Sequence, residues 1–163
     1  EKNKAAFESD RPKFEAMLPQ WSKLVAVKKD EFKEVPVQPI SGKIVLLGRT
    51  VDSMTKPDEA ASLHPRNADF YSQDFLASKP EEVGTVVFIH QLTDQSKMYE
   101  KNKVYSHNKY QVFVVDAKSG EIKGAKELKV DEKFNPPNLI KDTTVISPDA
   151  KLQEFIRSLP VGT

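Results

Sequence analysis

The feature that most constrains the fold is a β-hairpin signal at residues 110–128. Two runs rich in β-branched and aromatic residues, 110–116 and 121–128, flank a short turn segment. Asp116 can hydrogen-bond to its own downstream backbone and Gly120 can adopt a positive φ, so both suit a hairpin turn. We therefore expect an antiparallel pair whose second strand, with one charged face, lies near a sheet edge.

Two further segments have the composition of buried strands. Residues 43–48 and 82–90 are dense in apolar and β-branched side chains, which predicts two central strands. Residues 93–108 are polar and follow the second of these strands, so we expect an exposed arm there. The chain between the two strands, residues 49–79, shows neither helical nor strand periodicity for long. A connection of this length is often a functional loop or contains a short helix.

Helices are predicted at both ends of the chain. In the C-terminal segment, apolar residues recur at helical spacing after the capping sequence Ser147-Pro148-Asp149. In residues 1–30 an apolar stripe predicts a helix that begins near residues 9–10, with Pro12 in its first turn. Pro19 should kink or restart that helix.

These elements predict an α+β protein. We expect one domain over residues 1–163, made of an N-terminal helical segment (1–30) and an α+β core (42–160). The sheet should be small, mixed or antiparallel, with about four to five strands, and the N- and C-terminal helices should pack on it.

Composition excludes several classes of function. The chain has no cysteine, so disulfide, thiolate and iron–sulfur chemistry are excluded. Its 25 Lys and Arg nearly balance 24 Asp and Glu, so no nucleic-acid partner is expected, although lysines and tyrosines interleave over 97–110. The three histidines are far apart and the six glycines form no phosphate-binding motif. We therefore predict no metal and no cofactor. A protein partner or self-association through the hairpin edge stays open.

Candidate catalytic residues are His64, Asp69 and His90. The first two belong to a cluster of imidazole, guanidinium, amide and carboxylate groups at residues 64–69. His90 stands at the end of a predicted strand, where functional side chains are often delivered. The alternative is ordinary turn chemistry with a surface ion pair for the cluster, and a rim residue bonded to backbone for His90.

Candidate ligand-binding residues come from the same stretch. Arg66 and Asn67 lie inside the cluster and Tyr71 follows it. A guanidinium beside an amide and an imidazole can bind an anion.

Ordered segments across residues 42–160 resemble a loose group of uncharacterised bacterial domains that often follow an N-terminal membrane anchor. The segments are GKIVLLG, ASKPEEVGTVVFI, YQVFVVDAKSGEIKGAKEL, FNPPNLI and SPDAKLQEFIRSLP. The resemblance implies an extracytoplasmic location and brings no function with it. The chain begins with Glu1 rather than Met, so we expect a processed or truncated product that a signal peptide or membrane anchor preceded. Residues 41–47 also look like the first central strand of thioredoxin-like proteins, but the redox cysteine pair of those proteins is missing here.

Two functional hypotheses follow. The first is a non-enzymatic binding or scaffolding domain, since no set of catalytic residues is assembled in the sequence. This domain would be held outside the cytoplasm, as the expected anchor implies. The alternative is a hydrolase-type enzyme with its site in the 49–79 loop near His90. Convergence of His64, Asp69 and His90 within hydrogen-bond reach, with one water allowed, would distinguish the second from the first. No apolar run is long enough for a membrane helix.

Overall fold

The computed structural model describes residues 2–25, 32–51, 59–71, 73–99, 103–129, 143–146 and 148–160, and only the backbone at 2–3, 93–99, 103–107 and 143–146. Its helices are α1 (Lys2–Glu15), α2 (Leu18–Ser22), α3 (Arg66–Phe70) and α4 (Asp149–Arg157). Its strands are β1 (Lys43–Thr50), β2 (Ser62–Leu63), β3 (Val83–Tyr99), β4 (Lys103–Asp116), β5 (Ile122–Lys129) and β6 (Thr143–Ile146). Among the described residues, no helix has both the length and the apolar character needed to cross a membrane.

The strands form one mixed sheet. Five of them lie in the order β2-β1-β3-β4-β5, and β6 pairs with the outer part of β4. β1 runs parallel to β3 and β6 runs parallel to β4, whereas the other pairs are antiparallel. Together with the terminal helices, this arrangement confirms the predicted α+β fold.

The hairpin formed by β4 and β5 is present as predicted. Tyr110 pairs with Leu128 at the open end. At the turn, the Asp116 carboxylate accepts hydrogen bonds from the backbone N–H and the hydroxyl of Ser119, at 2.9 and 2.7 Å. Gly120 adopts a φ of 76°, a conformation that favours glycine.

The outer edge of β5 is paired rather than open. Val35 and Ala125 exchange two backbone hydrogen bonds, and the Gln38 N–H donates to the Lys123 carbonyl at 2.7 Å. A covered edge of this kind has fewer unpaired backbone groups to offer a second chain. At these positions the edge is therefore already occupied by the segment before β1.

Residues 93–108, predicted to be an exposed arm, are instead mostly strand. β3 continues to Tyr99 and β4 begins at Lys103, so the two strands extend the central sheet as a long hairpin. The strand conformation was not predicted because the expectation depended on side-chain polarity, whereas ladder hydrogen bonds are made by the backbone. Whether the side chains at 93–107 are exposed lies outside what the structure describes. β6 adds a further ladder to this extension.

The N-terminal helix begins earlier than expected, at Lys2, and Pro12 lies inside it rather than in its first turn. Burial of Phe7 and Phe14 holds this helix in place, since Phe7 packs edge-on against Tyr71 with ring centroids 5.7 Å apart. Pro19 lies in the first turn of α2, so the predicted restart is confirmed. In the C-terminal helix, Leu152, Phe155 and Ile156 are buried as predicted, and the expected cap residue Ser147 lies outside the described residues.

The sheet has two differently covered faces. Successive residues of β1 point to opposite sides, so Gly48 lies on one face and Arg49 on the other. We call the first the cleft face: α4 lies over it, and Tyr110 donates to Asp149 across the interface at 2.9 Å. We call the second the N-terminal face, because Arg49 contacts the chain around α2 there.

Candidate functional site

A cleft of about 380 Å³ opens on the cleft face near the carboxyl end of β1. Its floor comes from the central strands and includes Gly48 and Ile89, while its walls come from the β2–α3 segment and from the start of α4. This volume is at the lower end of the range for small-molecule sites. The cleft is therefore large enough for one small ligand.

Asn67 fixes the α3 wall to the floor. Its amide accepts from the Leu46 N–H at 3.0 Å and donates to the Leu46 carbonyl at 2.7 Å. It also donates to the His64 carbonyl at 2.9 Å. Asn67 is only 1% exposed, so these bonds replace water for buried backbone groups. The side chain predicted to bind a ligand is therefore engaged in holding the wall.

His64 lies on that wall with a defined tautomer. Its Nδ1 accepts a hydrogen bond from the Arg66 backbone N–H at 3.1 Å, so the neutral ring carries its proton on Nε2. Burial, aided by the charge of Arg66, lowers the pKa of His64 to about 4. The ring lies close to Gly48, where an added Cβ would be 2.9 Å from its Cδ2 atom. At neutral pH the imidazole is thus an uncharged group in the cleft lining.

Arg66 connects two carboxylates at the cleft rim. Its Nη1 is 2.6 Å from an Asp69 oxygen and its Nη2 is 3.7 Å from Asp149 Oδ1. The hydrogen bond with Asp69, followed by the charge of Asp149, raises the pKa of Arg66. Asp149 Oδ1 also accepts the hydroxyl proton of Tyr110. The two acidic groups, brought from α3 and α4, hold the guanidinium at the edge of the cleft.

His90 lies on the N-terminal face, beside its strand neighbour Arg49. It is 2% exposed, and its Nε2 has no hydrogen-bond partner among the described residues. Burial, together with the charge of Arg49, lowers the pKa of His90 to about 3. The ring lies between Phe88 and Phe113, with centroids 6.2 and 5.0 Å away.

Arg49 is the only charged residue that is buried in the described part of the chain, with 6% exposure. Its guanidinium donates to the Val25 carbonyl at 2.9 Å and to the Ser22 carbonyl at 2.6 Å, and it lies over the Phe88 ring. Burial lowers the pKa of Arg49. The arginine therefore fastens the chain after α2 to the sheet.

Tyr71 lies away from the cleft lining and is bonded to α1. Its hydroxyl donates to the Asp10 carboxylate, and burial together with this bond raises the pKa of Tyr71 to about 12. The contact fixes α1 to the segment that follows α3.

The structure brings together some of the predicted site residues and separates others. His64 and Arg66 line the cleft, and Asp69 lies next to it through Arg66. His90 lies on the opposite face, so the three candidate catalytic residues do not converge. The hydrolase hypothesis stays a prediction without an assembled catalytic group in its support.

Several cleft residues escaped the sequence analysis. They are Gly48, Ser62, Ile89, Gln91, Tyr110 and Asp149. Gln91 follows His90, the strand residue that was chosen, and alternation along β3 places the two on opposite faces. Choosing between the two requires knowing which face of β3 forms the cleft, and that depends on strand register and on the packing of α4 rather than on the local sequence.

In the described residues, no three histidine, aspartate or glutamate side chains group as a metal site would require. Comparison with protein-family models, with curated proteins and with solved structures gives no match. The cleft is therefore the feature of the described residues that bears most directly on function.

Proposed function

We propose that this chain is a non-enzymatic binding domain that holds a small polar molecule in the cleft. The observation that carries the proposal is the way the polar lining is fixed before any ligand arrives. Asn67 joins the α3 wall to β1, and the Arg66–Asp149 contact joins α3 to α4. The bond from the Arg66 backbone N–H to Nδ1 of His64 fixes the orientation of the imidazole. Prior ordering of this kind lowers the entropic cost of binding.

The neutral state of His64 supports binding over acid–base catalysis. A general base works best with a pKa near the operating pH, whereas the pKa of His64 is about 4. Its Nδ1 is occupied by the backbone, so its remaining function is to donate from Nε2.

A titration monitored by ¹⁵N–¹H NMR tests the proposal. The probes are a neutral sugar, a zwitterionic amino acid, a nucleoside and a dicarboxylate, each at millimolar concentration. We expect at least one of them to shift the backbone amides of Gly48, Ser62, Ile89 and Gln91. The ligand's own spectrum, followed overnight, should stay unchanged. Chemical conversion of an ester or glycoside added as a fifth probe would instead support the hydrolase hypothesis.

A pair of variants controls for non-specific shifts. Gln91→Trp places a large ring in the cleft lining, whereas Gln73→Trp places the same ring at an exposed position beyond α3. Binding should be lost in the first variant and kept in the second, with urea denaturation showing that both fold. If no probe shifts the cleft amides, or if Gln91→Trp leaves the shifts unchanged, the cleft is not the binding site.

The extracytoplasmic location that the resemblance implies is part of the same proposal. Fractionation of bacteria expressing the full-length gene product, with detection of this chain in the membrane or periplasmic fraction, is its test. Recovery in the cytoplasmic fraction alone would contradict it.

A further inference from the structure

We infer that the ligand of the cleft is a neutral polyhydroxyl compound, such as a sugar ring. This inference rests on the proposed function and adds the chemical class of the ligand. Three features carry it: the charge balance at the rim, the alternation of donors and acceptors, and the small free apolar area of the floor.

The charge balance disfavours ionic ligands. Two arginines line the cleft. The Arg49 guanidinium is turned to the N-terminal face, where it binds two backbone carbonyls, and Arg66 already contacts both Asp69 and Asp149. An anion that approached it would also meet two carboxylates, which the single guanidinium does not fully neutralise. A cation would meet the guanidinium, and no set of three metal-ligating side chains is present among the described residues. A neutral ligand avoids both penalties.

Donors and acceptors lie side by side on the lining. The neutral His64 ring carries its donor proton on Nε2, because Nδ1 accepts from the Arg66 backbone. Arg66 Nη2 stands 3.7 Å from Asp149 Oδ1 without a hydrogen bond between them. Oδ1 already accepts from Tyr110, and within the described residues the second oxygen of Asp149 accepts no hydrogen bond. A hydroxyl both donates and accepts, so neighbouring hydroxyls of one ligand can pair with the carboxylate and with the guanidinium.

The floor beside these groups offers little free apolar surface. Ile89 is only 1% exposed, and the His64 ring lies over Gly48, where an added Cβ would be 2.9 Å from its Cδ2 atom. A ligand that binds mainly through its hydroxyl groups needs little apolar contact, so this floor also favours a polyhydroxyl compound.

A series of ligands with one skeleton and three charges tests the inference. The probes are glucose, glucosamine and glucuronate, titrated into the ¹⁵N-labelled chain. We expect glucose to give the tightest binding at the cleft amides, with a Kd that changes less than twofold between 50 and 500 mM salt, since screening affects only charged ligands strongly.

A matched pair of variants locates the contact. Asp149→Asn removes the charge and one acceptor that we place on the ligand, so glucose binding should weaken at least tenfold. Asp69→Asn also removes a carboxylate from Arg66, but Asp69 does not line the cleft, so its effect should stay below threefold. Both variants keep a side chain of nearly the same size, and urea denaturation checks their folding.

The results of these titrations distinguish the assignment of a sugar ligand from the proposal that the chain is a binding domain. Tighter binding of glucosamine or glucuronate than of glucose, or equal loss in both variants, would overturn the assignment of a neutral sugar. Binding of the amino acid, nucleoside or dicarboxylate without any binding of the sugars would also overturn it, yet leave the binding-domain proposal intact. Failure of every probe at the cleft would remove both.

Discussion

Gly48 and Arg49 are neighbours in β1, yet they belong to opposite kinds of protein surface. On the cleft face, Gly48 forms part of an accessible floor, and the histidine beside it has its Nδ1 bonded to backbone. On the N-terminal face, Arg49 and His90 are both buried, and each retains one nitrogen without a partner among the described residues. β1 thus separates an open site, where His64 Nδ1 has a hydrogen-bond partner, from a closed site. In the closed site Arg49 and His90 each have a nitrogen without a partner among the described residues.

On our proposal, this difference separates the polar groups that serve binding from those that serve the fold. A buried polar atom without a hydrogen-bond partner lowers the stability of the fold. Such an atom is therefore tolerated where other interactions of the same residue compensate for that loss. Arg49 contributes by binding two carbonyls of the α2 region. On the cleft face, the polar groups hold one another in place and still reach a cavity. A search for function should therefore start from the open face, although both faces carry a histidine with a lowered pKa.

The largest expected effect comes from breaking the closed face with Arg49→Met. Methionine fills part of the same space but leaves the carbonyls of Ser22 and Val25 without their charged donors. Hydrogen bonds to a charged group contribute about 1.5–3 kcal/mol each, partly offset here by the cost of burying the charge. We expect the free energy of unfolding to fall by about 3 kcal/mol, measured by urea denaturation, with faster amide hydrogen exchange over residues 18–25.

Arg157→Met is the matched control for that variant. Arg157 also places its guanidinium over a phenylalanine ring, at 5.4 Å compared with 5.3 Å for Arg49, but it is exposed. Its loss should cost about 1 kcal/mol or less. Equal destabilisation by the two variants would show that the ring contact, rather than the carbonyl bonds, is what Arg49 contributes.

The lowered pKa values of His64 and His90 predict that the free energy of unfolding depends on pH. Each has a lowered pKa in the folded chain, about 3 for His90 and about 4 for His64, against 6.5 when unfolded. The unfolded chain therefore binds more protons below pH 6.5, and stability falls as the pH drops from there toward 4. Between pH 6.5 and 5 each histidine should contribute about 1.4 kcal/mol per pH unit at most.

His90→Leu separates the contributions of the two faces. Between pH 6.5 and 5, the part of the change of unfolding free energy with pH that the histidines cause should fall by about half in this variant. Urea denaturation at closely spaced pH values measures that change. Above pH 7 its stability should match or exceed that of the parent chain by about 1 kcal/mol, because an unpaired buried nitrogen is removed. An unchanged slope would mean that His90 is reachable by protons and water in the folded chain.

Local sequence rules predicted the elements in which several signals agree. Asp116 and Gly120 identified the hairpin turn, and the apolar spacing of Leu152, Phe155 and Ile156 identified α4. The long extension of β3 and β4 was missed because polar side chains give no strand signal when the backbone ladder determines the structure. Pro12 was misplaced because the burial of neighbouring aromatic residues overrides a local breaker.

The candidate site was only half predictable for a different reason. His64, Arg66 and Asp69 are close in sequence, so a local cluster signal found them. Asp149 reaches Arg66 only through the packing of α4 on the sheet, and no short-range pattern encodes that contact. His90 was placed wrongly relative to His64 because the face of a strand residue depends on register, and one residue changes the face.

A smaller effect than that of Arg49→Met is expected from closing the open face with Gly48→Ala. The added Cβ would stand 2.9 Å from the His64 ring, so the imidazole must move away from the floor. We expect a loss of about 1–2 kcal/mol of stability and a rise in the pKa of His64 toward 6.5 as the ring becomes more hydrated, followed by NMR of its ring protons. Gly124→Ala meets Val37 at 2.8 Å and serves as the matched control, with a similar or larger loss of stability and no change in the His64 titration. If the two variants left the titration equally unchanged, the pKa of His64 would not depend on its contact with the floor, and the comparison between an open and a closed histidine would need another physical basis.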